Sequence, residues 1–310
     1  RRSELSSTSR LEAILLVEME EAARTRSPRA PPRGCKRLTV DTNEDAKVLP
    51  VYQHPTVSAS RYKRYYTFLV IGQTGTGKTT LLDAFVNCLA GQTFSDNWRW
   101  KLVDENELNK LQSGSSKTRE VSYYIVNDER NADVECNIRI IDTPGFGDSK
   151  GFKQDDETVK KFEALFAEIS EIDYVLVTVK ATETRWTLGN RYIYDRVQQI
   201  FGKDAAERFI LMCTFADTDA IPVAVRTLRP HLTFNEYFTF NNSALYIPSQ
   251  SANKYSANYW RMGNDSIAEF LRHVVLRNQP PLSLSMSLEV LRQRECLSAC
   301  VENTVKRIKD

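Results

Sequence analysis

The sequence carries almost no net charge, and its cysteines form no recognisable chemical motif. Forty-two Lys and Arg residues balance 40 Asp and Glu residues, which leaves a formal net charge of +2. So small an excess argues against nucleic acid or an anionic membrane surface as the partner. The six cysteines include no C-x-x-C pair, and Cys88, Cys136 and Cys213 stand inside apolar runs, as small core residues do. Such thiols suit a reducing cytosol, so we expect a cytoplasmic protein.

Long apolar runs are also missing. No stretch approaches the roughly 18 residues that a membrane span needs, so the sequence does not indicate membrane association. The segment from Leu11 to Met19 is shorter and contains Glu12 and Glu18, which makes a poor signal peptide. The chain begins with Arg1 rather than Met, as a fragment of a longer protein would.

The stretch from Tyr65 to Leu82 organises the rest of the chain. An apolar run stops at Gly72, the residues from there to Thr79 fit G-x-x-x-x-G-K-[ST], and a helical pattern follows. In this context the glycines allow backbone N–H groups to turn around phosphate oxygens, and the helix N-terminus adds positive potential. We therefore predict phosphate binding by Gly72, Gln73, Thr74, Gly75, Thr76, Gly77, Lys78, Thr79 and Thr80.

Two residues of this loop have further predicted roles. The ammonium group of Lys78 would reach the β and γ phosphates, so we predict a catalytic role for it. The hydroxyl group of Thr79 would bind Mg²⁺, an ion that prefers oxygen ligands together with phosphates.

A second motif, Asp142-Thr143-Pro144-Gly145, follows an apolar strand about sixty residues after Lys78. A carboxylate at a strand end can hold Mg²⁺, and we predict this role for Asp142. The Gly145 amide would bond a γ-phosphate oxygen, so the loop from 146 to 151 would be ordered by triphosphate and released by diphosphate.

A threonine between the two motifs is needed to complete the metal site and to sense the γ-phosphate. Our choice is Thr118, just before a predicted strand, as both a metal ligand and a catalytic residue. Ser115 and Ser116 lie in the same polar loop and are the alternatives.

Strands and helices alternate across about 210 residues, which predicts an α/β fold with three layers and a mainly parallel sheet, the P-loop NTPase class. Ligands of such sheets bind beyond the carboxyl ends of the strands, where the polar motifs should converge. Trp98 and Trp100 fall in a polar insertion, where they could cover the core or form an exposed contact, and burial is the default for tryptophan. Beyond the P-loop unit, the predicted strands are 121–126, 134–141, 174–179, 209–213 and 237–240, the first two forming an antiparallel hairpin, and the predicted helices are 157–169, 188–201, 223–228 and 266–277.

These motifs resemble those of septin-related and GIMAP-like G-domain proteins. The resemblance rests on DTPGFGD at 142–148, TFAD at 214–217 and FNNSA at 240–244. The run at 200–204, the W-x-M-G of 260–263 and SLEVLRQR at 287–294 extend it to largely uncharacterised G-domain proteins with a helical tail. It covers roughly Tyr65 to Asp310 and leaves residues 1 to 60 outside.

The resemblance implies GTP or GDP as the ligand and Mg²⁺ as the cofactor. Asp217 takes the place of the acidic residue that reads guanine N1 and N2. Asn242, Ser243 and Ala244 take the place of the loop whose backbone meets guanine O6. The resemblance also implies a nucleotide-dependent switch or scaffold that dimerises across its nucleotide face.

Two positions depart from the usual G-domain pattern. The [NT]-K-x-D motif has Lys where this chain has Phe215, whose ring could stack on the base instead of the Lys stem. Gly145 is followed by Phe146, which cannot orient water as the Gln of Ras-type enzymes does. We therefore expect slow GTP hydrolysis, stimulated by a partner or a second protomer. The alternatives are a nucleotide-binding interaction module without significant hydrolysis and an ATP-using P-loop enzyme.

The two ends of the chain differ from the central domain, which we place at residues 61–280. Residues 1–60 mix Arg with Pro and are predicted to be disordered, a plain linker being favoured over a tail that touches membrane or a partner. Residues 281–310 are predicted to form a helix that either packs on the domain or begins a coiled coil. Its apolar stripe consists of Val290, Leu297, Val301, Val305 and Ile308.

Overall fold

The computed structural model describes most of the predicted central domain and parts of the two ends. The described residues are 31, 37–38, 51–53, 65–102, 122–127, 137–143, 169, 171–185, 191, 194–195, 201, 203–218, 220–249, 254–284, 289, 293, 296–297, 300–301 and 304. In chain order, their helices and strands are β1 (Arg37–Leu38), β2 (Val51–Gln53), β3 (Tyr65–Gly72), α1 (Lys78–Leu89), β4 (Arg99–Lys101), β5 (Ser122–Asn127), β6 (Asn137–Asp142), β7 (Glu171–Ile172), β8 (Tyr174–Lys180), a 3₁₀ helix (Lys203–Arg208), β9 (Phe209–Thr214), α2 (Val223–Leu228), β10 (Glu236–Thr239), α3 (Ser256–Arg277) and β11 (Leu282–Ser283).

A six-stranded sheet with the order β10-β9-β8-β3-β6-β5 forms the centre of the molecule. Strand β5 pairs antiparallel with β6, and the other neighbouring strands pair in parallel. The phosphate-loop strand β3 is therefore flanked by β6, which leads into the second motif, and by β8. This sheet confirms the predicted α/β class, and the β5–β6 pairing confirms the predicted hairpin.

Strand β3 is buried on both faces of the sheet, as a parallel central strand must be. Phe68 and Val70 join the core under α1 and α3, where the Phe270 ring centroid lies 5.3 Å from that of Phe68. Leu69 and Ile71 alternate with them and join a second core that includes the buried residues of α2. Two cores on opposite faces of one sheet give the three layers that the sequence predicts.

Helix α3 is longer than the sequence indicates. We predict a helix over 266–277, whereas α3 begins at Ser256. Its first ten residues contain Gly263 and few apolar residues at helical spacing, so the periodicity there is weak. In the structure, this half of α3 lies against the loop after β10. The contact there depends on the close approach that Gly263 allows and not on an apolar stripe.

The described parts of the two ends contain short strands that the sequence did not predict. Within the segment predicted to be disordered, β1 pairs with β2, and β2 pairs in parallel with β4 of the insertion. In the C-terminal segment, β11 pairs with β7 before the helical positions begin. Leu297 and Val301 are exposed rather than packed on the domain. Trp98 and Trp100 are buried, as predicted. Within the described residues, no helix is long and apolar enough to cross a membrane.

Candidate nucleotide site

The polar motifs converge at the carboxyl edge of the central sheet. Strand register places Gly72 opposite Thr178 and Val70 opposite Asp142, so the first two motifs leave adjacent strands at the same level. Thr214 pairs with Lys180 at the end of the next strand, and the loop after β10 follows. This arrangement confirms the predicted meeting of the motifs.

The phosphate loop connects β3 to α1, and one of its amides, Thr76 N–H, donates to the Gln73 carbonyl oxygen at 3.3 Å. The residue before α1, Gly77, has φ 84° and no side chain that could cap the helix. The N–H groups at a helix N-terminus are the ones that bind anions. The first turn of α1 also contains no acidic residue. The Lys78 ammonium donates to the carbonyl oxygens of Gly72 at 2.8 Å and Gln73 at 3.0 Å, which holds it across the loop.

Two glycines of the loop are required by the surrounding backbone. A Cβ on Gly72 would lie 2.4 Å from the carbonyl oxygen of Thr178, so no side chain fits between β3 and β8. Gly77 has a left-handed backbone, and a Cβ there would lie 3.3 Å from the Phe215 ring. Glycine at these two positions therefore allows the loop to lie close to β8 and to the TFAD segment.

Asp142 is fully buried at the end of β6, and neither carboxylate oxygen has a hydrogen-bond partner among the described residues. Burial raises the pKa of this carboxyl group to about 6, although the charge of Lys78 lowers it in part. Two buried oxygens without partners, beside the phosphate loop, are the donor set that a divalent cation satisfies. The residues therefore fit a magnesium ion, which Asp142 and Thr79 would hold together with phosphate oxygens.

The TFAD segment is fixed to the phosphate loop by its first residue. The Thr214 hydroxyl lies 2.6 Å from the carbonyl oxygen of Thr76 and 3.0 Å from that of Val179, and both oxygens accept. Phe215 follows with φ 55°, a left-handed conformation that is rare for an aromatic residue. Its side chain is 54% exposed, and the Lys180 ammonium lies 5.9 Å from the ring centroid. Strain of this kind is concentrated at ligand sites.

The FNNSA segment holds the predicted base-reading carboxylate. The side-chain amide of Asn241 donates to Asp217 Oδ1 and to the carbonyl oxygen of Ala216, each at 3.0 Å. Its oxygen accepts from the backbone N–H of Ser243 at 3.1 Å and from the Ser243 hydroxyl at 2.6 Å. Asn241 is buried, whereas Asp217 is exposed, so the carboxylate is both oriented and open to a ligand.

Most of the predicted site residues fall within the described part of the chain. The phosphate loop, Asp142, Asp217 and the segment from Asn242 to Ala244 all lie at one edge. Thr118, Gly145 and the alternatives Ser115 and Ser116 lie outside the described residues, so their predicted roles stay predictions.

Sequence reasoning did not assign a role to three residues that build this site. Thr214 and Asn241 lie inside the motifs TFAD and FNNSA, next to the positions expected to contact the base. Gly263 belongs to the W-x-M-G segment, and a Cβ on it would lie 3.1 Å from the Asn241 carbonyl oxygen. The sequence signal that could have identified these residues is their position within recognised motifs.

Four features together define a P-loop G domain. They are a mainly parallel sheet, a glycine-rich phosphate loop with Lys and Thr, an Asp at a strand end and the oriented Asp217. Residues 64–173 of the chain match the family model for septins. Over this stretch, about a third of its length, the chain is similar to septins. Cell division control protein 11 of Saccharomyces cerevisiae is 33% identical over 84 residues, which are 27% of this chain and 18% of that protein. The match thus spans less than a fifth of the relative.

Solved structures of GTPases are similar to this chain over most of its length. Toc33 of Arabidopsis thaliana, in complex with GDP and Mg²⁺, is 15% identical, with 71% of this chain and 88% of that chain covered and a TM-score of 0.41. Era of Aquifex aeolicus, bound to GDP and AlF₄⁻, is 17% identical, with 70% and 58% covered and a TM-score of 0.42.

Proposed function

We propose that this chain binds GTP and GDP with Mg²⁺ and acts as a nucleotide-dependent switch or scaffold whose own hydrolysis is slow. The observation that carries the proposal is that three features meet at one sheet edge. They are the phosphate loop, the oriented Asp217 and Asp142, whose carboxylate has no hydrogen-bond partner among the described residues. Mg²⁺, when bound there, would neutralise charge on the β and γ phosphates. A septin-like match over residues 64–173 supports the same conclusion.

Guanine is the base that the site fits best. Asp217 offers carboxylate oxygens to the two neighbouring donors of guanine, N1–H and N2–H₂, whereas adenine presents no such pair of donors on that edge. Phe215 stands where the usual motif has Lys, and its exposed ring beside Gly77 offers a stacking surface for the base. Stacking is tolerant of base identity, so the carboxylate supplies the discrimination.

Slow hydrolysis follows from the residue after the second motif. Phe146 has no group that can orient a water molecule, so the missing group would come from a partner or from a second copy of this chain. A homodimer across the nucleotide face is supported by three exposed apolar side chains near Asp217. They are Phe215, Ile221 and Val223, which are 54%, 51% and 48% exposed.

The proposal is tested by displacement of a fluorescent GDP analogue with GTP, GDP and ATP, with and without Mg²⁺. We expect guanine nucleotides to compete far better than ATP and Mg²⁺ to strengthen GTP binding. Lys78→Ala should weaken binding of GTP while the circular dichroism spectrum stays unchanged. Equal competition by ATP would instead favour the ATP-using enzyme. Guanine binding without turnover, even at high protein concentration, would favour the non-hydrolysing interaction module.

A further inference from the structure

We propose that Asn241 is the positioning residue that sets base specificity, and that α3 holds it in place through Gly263. This inference rests on the proposed guanine-nucleotide function and deepens it. Asn241 would not touch the nucleotide itself. It would act by fixing the carboxylate of Asp217, the group that reads the base.

The orientation of the Asn241 amide is determined by two backbone groups. Ser243 N–H can only donate, so the atom facing it is the Asn241 oxygen. The Ala216 carbonyl can only accept, so the atom facing it is the Asn241 nitrogen. The second hydrogen of that nitrogen then points to Asp217 Oδ1. If the amide were flipped, its NH₂ group would face the Ser243 N–H and its oxygen would face the Ala216 carbonyl oxygen, and neither contact could be a hydrogen bond.

This geometry pre-arranges Asp217 for a ligand with two adjacent donors. One lone pair of Oδ1 is used by Asn241, and the rest of the exposed carboxylate remains open. A bidentate contact with N1–H and N2–H₂ requires the carboxylate plane to be fixed, because an exposed Asp otherwise samples several rotamers. Asn241 therefore reduces the conformational entropy that Asp217 loses when it makes the contact that distinguishes guanine from adenine.

Further backbone contacts hold the two loops in one register. Ala216 N–H donates to the Phe240 carbonyl oxygen at 3.1 Å, and Phe240 N–H donates to the Cys213 carbonyl oxygen at 2.8 Å. Both bonds involve Phe240, so the residue just before Asn241 is joined to the end of β9 and to the TFAD segment. Any shift of Asn241 would be transmitted to the residue before Asp217.

Helix α3 closes the other side of this unit. A Cβ on Gly263 would lie 3.1 Å from the Asn241 carbonyl oxygen and 3.2 Å from Asn242 Oδ1, which is tighter than ordinary contact. The helix and the loop therefore touch without a side chain between them. An alanine at this position would force the neighbouring loop, which contains Asn241, to yield by a few tenths of an ångström.

The test compares the affinities of GDP, inosine diphosphate and ADP for the whole chain and its variants. Inosine diphosphate keeps N1–H but lacks the N2 amino group, and ADP lacks both donors. For Asn241→Ala we expect GDP affinity to fall about tenfold, the change expected from losing one hydrogen bond to a charged group. ADP affinity should change less than about twofold, because its phosphate contacts remain.

Asn87→Ala is the matched control. Asn87 is as buried as Asn241 and donates to the carbonyl oxygens of Asp83 and Trp100 at 2.7 and 2.8 Å. Its removal should lower thermal stability by a similar amount but leave the ratio of GDP to ADP affinity unchanged. A purely structural role of Asn241 would make the two variants behave alike and would overturn the inference.

Gly263→Ala keeps the inference testable if Asn241→Ala does not fold. Alanine is the better helix former, so the helix itself gains stability. We expect the ratio of GDP affinity to ADP affinity to fall severalfold while the ADP affinity itself stays the same. An unchanged ratio in this folded variant would overturn the inference. The wild-type ratio tests the proposed function separately, because a ratio near one in the wild type would refute guanine specificity before any variant is measured.

Discussion

Asp142 is a buried carboxylate for which the described part of the fold supplies no hydrogen-bond partner. Its pKa is raised to about 6 by burial, which means that the folded state binds the proton more tightly than the unfolded state does. The ionised form therefore destabilises the nucleotide-free fold at neutral pH, by about 3 kcal/mol at most. Such a group is retained for a ligand rather than for stability.

We expect Asp142→Asn to raise the melting temperature of the nucleotide-free protein by about 4 °C at pH 7.5, since a buried charge is removed. The same variant should lose the strengthening of GTP binding by Mg²⁺. Asp173→Asn is the matched control: Asp173 is buried too, but it accepts from the Thr67 N–H at 2.7 Å, so its replacement should lower stability. A melting temperature that falls equally in both variants would contradict the predicted role of Asp142.

Asp217 can be tested by exchanging the base rather than by removing binding. Asp217→Asn replaces one acceptor by a donor, which matches the O2 acceptor of xanthine instead of the N2 donor of guanine. We expect GDP affinity to fall by about a hundredfold and the affinity for xanthosine diphosphate to rise, as measured by displacement of a fluorescent analogue. Equal loss for both nucleotides would show that Asp217 does not read the base.

Strand β4 and the segment before it support the base-reading loop from behind. The Arg99 side chain is fully buried and donates to the carbonyl oxygens of Leu245, Asp96 and Trp98 at 2.7 to 2.8 Å. Its guanidinium carbon lies 4.3 Å from the centroid of the Trp260 ring on α3. Burial lowers the pKa of Arg99 to about 10, so it remains charged at neutral pH. One side chain thus connects β4, the FNNSA loop and α3.

Replacing Arg99 by Leu should leave several buried carbonyl oxygens without donors. We expect a loss of about 3 kcal/mol in the free energy of unfolding, measured with urea. Arg226→Leu on the exposed surface of α2 is the control and should change stability by less than about 0.5 kcal/mol. If both variants unfold at the same urea concentration, the buried donors of Arg99 do not stabilise the fold.

The face that contains the nucleotide site also contains the exposed apolar side chains that support a dimer. Helix α2 begins at this edge, where Ala224 N–H donates to the Ala181 carbonyl oxygen at 3.2 Å. Ile221 and Val223 lie just before and at the start of that helix. Exposed apolar residues around a ligand site are typical of a surface that a second protein covers.

We expect the chain with Mg²⁺ and a non-hydrolysable GTP analogue to dimerise in analytical ultracentrifugation, and Ile221→Asp to prevent it. A charge in the centre of the interface would have to be desolvated without a partner, which disfavours association. Leu276→Asp is the control, since Leu276 is 77% exposed near the opposite end of α3. A wild-type chain that stays monomeric with every nucleotide would contradict the proposed dimer.

Short-range sequence patterns were sufficient to predict the sheet and the phosphate-binding part of the site. The β-branched run of β3, the glycine spacing from Gly72 to Gly77 and the strand-end Asp142 are properties of short segments. Their geometry follows from neighbouring residues, since a parallel strand must be apolar and a phosphate loop needs glycine. The convergence of the motifs also followed, because parallel strands place their carboxyl ends at one edge.

Only the tertiary structure decided how the base-reading side is held. Asn241 meets Asp217 across 24 residues of sequence, Arg99 meets Leu245 across 146, and Gly263 adjoins a loop from another element. No local periodicity records such contacts, because a buried amide, a buried guanidinium and a helical glycine are each unfavourable by local rules. They are stable only where distant backbone groups complete their hydrogen bonds or require their small size, and folding alone brings those groups together.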